Sequence, residues 1–203
     1  NPLLAESGDV DRDLTGIIYS GLFKYNGDGE LVKDLTRDYE VSDNGLIYTI
    51  YLRQNVLWHD GERLDADDVV FTINTVENTD YQSPLRINWQ GVIVEKVDDY
   101  TIRFILNKPY NPFLENLTLG ILPEHLWGLI SIRNFALTDL NLQPIGTGPY
   151  RFDSFQKDGA GAVIQYTLKS NKDYYEGRPY INEVTFRFYD SEEEALVAWN
   201  NSE

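Results

Sequence analysis

The sequence predicts a mixed α/β fold of the α+β kind, and three observations carry that expectation. Apolar residues alternate with period two in short runs, most clearly in "LIYTIYL" at 46–52 and "TIRFIL" at 101–106. Such runs flank tight-turn signals, which predicts antiparallel hairpins. Helical spacing is confined to separate blocks, so strands and helices do not alternate as in a doubly wound sheet.

The elements follow in chain order. In Val10–Tyr25, the residues Val10, Leu14, Ile17, Ile18 and Leu22 recur at helical spacing, with Asp9 as cap and Gly21 placed to end the helix. Asn26-Gly27-Asp28-Gly29 predicts a hairpin turn, and Asn44-Gly45 a second one. The strand after Asn44-Gly45 sets Leu46, Tyr48, Ile50 and Leu52 on one face and Ile47, Thr49 and Tyr51 on the other. Both faces carry apolar bulk, which predicts a strand between two layers. Asp65 is placed to cap a helix, with Asp68 in the capping-box position and Val69, Val70, Ile73 and Val76 as its buried stripe. "GVIVEKVDDYTIRFIL" reads as two strands around Asp98-Asp99. Pro123 suits the first turn of another helix, and residues 131–143 form a weakly patterned connector. Three further strands are expected near 150, 163 and 184, then a helix in "SEEEALVAW".

Composition removes several functions. The chain has 203 residues, 42% of them hydrophobic, which suits a sizeable core rather than disorder. Its 17 basic against 33 acidic residues give a net charge of −16, which repels phosphate backbones and argues against a nucleic-acid partner. Cysteine is absent, so disulfides, thiolate metal sites and a Cys nucleophile are excluded. The apolar runs are too short for a membrane-spanning helix. Asn1-Pro2 is not a natural start, and the sequence reads as a fragment.

Candidate chemistry is sparse. His59-Asp60-Gly61 could belong to a hydrolase, but no Gly-x-Ser-x-Gly nucleophile motif accompanies it, and Asp60-Gly61 also signals a turn. The run beginning at Asp9 resembles a calcium loop until Leu14 stands where Gly is needed. Gly146-Thr147-Gly148-Pro149 lacks the Lys of a phosphate loop, and reads as a tight turn whose N–H groups could approach a ligand. Asp67-Asp68 and Asp98-Asp99 raise the alternative of a secreted hydrolase using a carboxylate pair or His59/Asp60. No cofactor and no metal is expected from two histidines, His59 and His125.

A resemblance adds what the residues alone do not. "NPLLA" at 1, "IYSGLFKYNGDGELVKDLTRDYEV" at 18, "LWHDGERLDADDVVFTI" at 57, "VEKVDDYTIRFIL" at 94, "PYNPFLENLTLGILPEHLW" at 109, "PIGTGPYRF" at 144 and "NKDYYEGRPYINEVTFRFYDSEEEALVAW" at 171 span nearly the whole chain. Together they resemble the extracellular solute-binding proteins of the peptide/nickel class (family 5), the dipeptide- and oligopeptide-binding partners of ABC importers. The resemblance implies a class II periplasmic-binding-protein-like fold, of which only the first lobe is present. It implies a hinge-proximal subdomain, residues 1–38 and 141–203, and the extra subdomain of the peptide-binding class, residues 39–140. It makes His59 and Asp60 turn residues rather than catalysts. Leu4, Ala5, Glu6, Leu119, Gly120, Ile121, Gly146, Thr147 and Gly148 are the ligand-binding residues it suggests. The implied partners are a peptide and ABC permease subunits, for a monomer outside the cytoplasm. Such receptors commonly carry a lipid-modified N-terminal Cys, and this sequence has none.

Overall fold

The computed structural model describes residues 1–4 and 8–201. A helix, α1 (Asp9–Ile18), leads into a small hairpin of β1 (Phe23–Tyr25) and β2 (Leu31–Lys33). β3 (Thr36–Val41), β4 (Ile47–Leu52), β5 (Val92–Asp98) and β6 (Thr101–Leu106) form an antiparallel sheet in the order β3-β4-β6-β5. Between β4 and β5 lies α2 (Ala66–Glu77). Two one-turn helices follow, α3 (Phe113–Asn116) and α4 (Glu124–Trp127), then 3-10 turns within the 131–143 connector. β7 (Tyr150–Lys157), β8 (Val163–Ser170) and β9 (Glu183–Arg187) make a second antiparallel sheet, followed by α5 (Glu192–Asn200).

The four-stranded sheet buries one face. Tyr48, Ile50 and Leu52 of β4 and Ile102, Phe104 and Leu106 of β6 point into the core. Ile47, Thr49 and Tyr51 on the opposite face are only half-buried, which corrects the expectation of two covering layers. Their cover is lateral: Ile47 stands beside Ile105, which stands beside Ile93, so neighbouring strands shield one another without a second layer. On the buried face, Trp89, Phe104 and Phe113 form an aromatic cluster with centroids 5.5–6.2 Å apart, Phe113 meeting both other rings edge-to-face. Each such burial contributes about 2–3 kcal/mol.

α2 forms where the capping signals place it. Asp65 accepts from the Asp67 N–H at 2.8 Å, and Asp68 returns the bond to the Asp65 N–H at 3.0 Å. Val69, Ile73 and Val76 are buried, while Val70 is half-buried at the margin of the stripe.

Three local expectations are corrected. α1 ends at Ile18 rather than near Gly21, because the chain there turns extended to pair with other segments. Its N-cap is Gly8, and Asp9 is its first residue, paired with Arg12. Pro123 caps α4 from outside instead of occupying its first turn.

Candidate functional site

Residues 18–23 form a spine to which distant segments attach. The Ile18 carbonyl accepts from the Gly148 N–H at 2.8 Å. The Ser20 carbonyl accepts from Ile121 at 3.0 Å, and the Phe23 N–H donates to Leu117 at 3.0 Å. Gly21 and Leu22 accept from Leu35 and Asp34, at 3.1 and 3.0 Å. Glycine is required at position 21, because a Cβ there would lie 2.7 Å from the Thr118 carbonyl oxygen.

His59 fastens the Gly146–Gly148 turn to this spine. Its Nδ1 accepts from the Gly146 N–H at 3.2 Å, and its Nε2 donates to the Gly148 carbonyl at 3.0 Å. That pairing requires the neutral ring with its proton on Nε2, and burial pushes the imidazole down to about 4. Both ring nitrogens are thus engaged by backbone. Asp60 turns away and pairs with His125 Nε2 at 2.9 Å, so His59 and Asp60 do not form a dyad. The carboxylate pairs are occupied as well: Asp67 and Asp99 both hold Lys96 Nζ at 2.8 Å, and Asp68 belongs to the α2 cap.

An open cavity of about 770 Å³ lies on the other side of the spine. Pro2, Thr15, Tyr19, Trp89, Leu119 and Gly120 contribute to its wall. Gly120 fits between Pro2 and Tyr19, where a Cβ would come within 2.9 and 3.0 Å of their Cβ atoms. Ile121 turns its N–H to the spine, whereas the N–H and C=O of Gly120 meet no hydrogen-bond partner among the described residues. The wall therefore carries a backbone N–H and a backbone C=O that are unpaired among the described residues.

The expected site residues separate into groups. Leu119 and Gly120 line the cavity together with Pro2, whereas the expected Leu4 does not contribute to its wall. Leu4 is half-buried, with its N–H given to the Asn1 carbonyl at 3.1 Å. Ile121 is buried at 1% exposure behind the wall. Gly146, Thr147 and Gly148 are buried apart from the cavity, and both glycine N–H groups are spent internally. Ala5 and Glu6 lie outside the described residues. Thr15, on α1, and Trp89 also stand in the wall, and no pattern in the sequence singles them out.

Comparison with known proteins places this geometry in a family. The sequence pattern described as "Bacterial extracellular solute-binding proteins, family 5 Middle" matches residues 30–203. The oligopeptide-binding protein AppA of Bacillus subtilis is 32% identical, over 91% of this chain and 34% of its own length. The dipeptide-binding protein of Escherichia coli is 31% identical, over 92% of this chain and 38% of its own. The structure of B. subtilis AppA with a nonapeptide superposes with a TM-score of 0.88 at 31% identity, covering 100% of this chain and 40% of that one. NikZ of Campylobacter jejuni, solved with Ni(L-His), gives 0.87 at 30% identity, with 100% and 39% covered. The chain belongs to family 5 of the bacterial extracellular solute-binding proteins, an extracytoplasmic family. It spans less than half the length of these relatives, which are named as binding proteins.

Proposed function

We propose that these residues are one lobe of a two-lobed receptor that captures oligopeptides outside the cytoplasm and delivers them to the permease of an ABC importer. No bond is broken; a second lobe closes over the ligand by hinge motion. The observation that carries this reading is the N–H and C=O of Gly120, unpaired among the described residues, on the wall of the cavity. A receptor tolerant of side chains binds its ligand through main-chain hydrogen bonds, as in strand addition, and needs small residues where the backbones approach. AppA with its nonapeptide and the E. coli dipeptide-binding protein support a peptide as cargo.

Within this reading, Leu119 and Gly120 face the ligand, and Leu4 contributes to the same binding surface beyond the cavity wall. The Gly146–Gly148 turn acts from behind by holding the end of α1. Residues 1–38 with 141–203 form the hinge-proximal subdomain and 39–140 the extra one. The separate sheets support that division, and β3 beginning at Thr36 favours a junction a few residues earlier.

The test is calorimetry on the complete parent polypeptide with a mixture of di- to pentapeptides, and in parallel with nickel–histidine. Peptide binding is expected, and the 203 residues alone should bind far more weakly because half of the clamp is absent. No heat with any peptide, or heat with nickel–histidine alone, would overturn the peptide assignment.

A further inference from the structure

The charges on the cavity wall are unequally used. Among its described lining residues, Arg12 is the one base and Glu115 the one acid. Arg12 is already neutralised by Asp9, one turn earlier on α1. The Glu115 carboxylate meets neither a hydrogen-bond donor nor a cation among the described residues. Its own backbone is fully committed: the Glu115 carbonyl accepts from the Thr118 N–H at 3.2 Å and its hydroxyl at 2.8 Å. That turn fixes Glu115 three residues ahead of the Thr118–Gly120 wall, leaving the side chain as the free element. Among the described residues the cavity wall therefore carries one uncompensated negative charge, in a chain whose net charge of −16 reinforces it.

We infer that Glu115 sets the charge preference of the cavity, selecting ligands that carry a cationic group, a Lys or Arg side chain or a free ammonium, and discriminating against ligands with acidic side chains. This inference rests on the peptide-receptor reading above. An exposed carboxylate attracts a cation modestly and repels an anion by a similar amount, so the two effects multiply in a ratio. A preference of about three- to tenfold is expected between otherwise identical basic and acidic ligands. It should shrink in high salt, since the charges lie at an open surface.

The experiment titrates the complete parent polypeptide with three tripeptides, Ala-Ala-Ala, Ala-Lys-Ala and Ala-Asp-Ala, and reads the affinity ratio of the second to the third. Wild type should prefer the lysine peptide. Glu115→Gln should bring the ratio close to one, and Glu115→Lys should invert it. Asp9→Asn, which frees the Arg12 charge without touching Glu115, should also lower the ratio. If none of the three tripeptides binds wild type and the di- to pentapeptide mixture gives no heat either, the peptide reading itself fails; if only the mixture gives heat, the ratio is read with Ala-Ala-Lys-Ala-Ala and Ala-Ala-Asp-Ala-Ala. If they bind but the ratio is near one, or is unchanged in Glu115→Gln, the role of Glu115 is refuted while the peptide reading stands.

Discussion

Between pH 6.5 and about 4 the stability of this chain depends on the imidazole of His59. An unfolded imidazole takes up its proton near 6.5, whereas the buried ring resists until about 4. In that window the unfolded state binds more protons, so this contribution is complete above 6.5 and declines as pH falls, by up to about 3 kcal/mol. Asp68 works in the opposite direction. Burial raises its carboxyl to about 6 despite bonds from the Glu124 and Asp65 N–H groups, so acid relieves a cost there. Wild-type melting alone will mix the two, and the clean measurement is the difference between wild type and His59→Gln. That gap in melting temperature should be widest at pH 7.5 and narrow towards pH 4.5; a gap that grows in acid would mean that His59 is charged in the fold. The neighbouring glycine is equally demanding. A Cβ on Gly146 would stand 1.9 Å from the Ile18 carbonyl oxygen, so Gly146→Ala should cost about 3 kcal/mol or more in urea unfolding. The glycine cluster was legible as a tight turn. Its partner was not, because Ile18 and His59 are remote in sequence and local patterns carry no information about which surface a turn meets.

At the scale of elements, α2 shows what a single side chain can hold. Asp68 accepts from the Asp65 N–H, from the Glu124 N–H at 2.8 Å and from the Trp58 indole at 3.2 Å, which ties α2 to α4 and to the strand-turn before it. Asp65 serves only the helix start. Asp65→Ala should therefore cost about 1 kcal/mol, the ordinary value of an N-cap. Asp68→Ala leaves three donors without their acceptor, the buried Trp58 indole among them, and should cost about 3 kcal/mol. Equal losses from chemical denaturation of the two variants would contradict the bridging role. The capping box was readable because its residues sit three apart, and so were the hairpins at Asn26–Gly29 and Asn44-Gly45, whose turns are local. Elements of one or two turns, α3 and the 3-10 segment Pro84–Trp89, were not. They lack a repeat and exist because Trp89 and Phe113 are drawn into the same aromatic cluster. The covering of β4 was misjudged for a related reason, since apolar bulk on a strand can be shielded by strands beside it as well as by a layer above.

For the whole molecule the question is how sheets without a shared strand behave as one body. The spine is the physical link. Within six residues it accepts from Gly148, next to the three-stranded sheet, and exchanges bonds with Leu117 and Ile121, beside the four-stranded one. A second tie runs through Tyr175, whose hydroxyl lies 2.5 Å from Asp34 and 3.0 Å from Ser20. Gly21→Ala tests this coupling directly. Its methyl would meet the Thr118 carbonyl at 2.7 Å, in backbone that cannot rotate away, so the spine and the 117–121 segment must part. The Phe23–Leu117 and Ile121–Ser20 bonds would weaken together, at a cost of about 2–4 kcal/mol. Hydrogen exchange followed peptide by peptide separates two outcomes. If the spine makes the chain cooperative, amides of β4 and β6 and those of β7 and β8 will lose protection by the same factor in Gly21→Ala. If only β4 and β6 are deprotected while β7 and β8 keep wild-type rates, the sheets are independent bodies. In that case the Gly120 wall could not be held in register by the Gly146–Gly148 turn behind it.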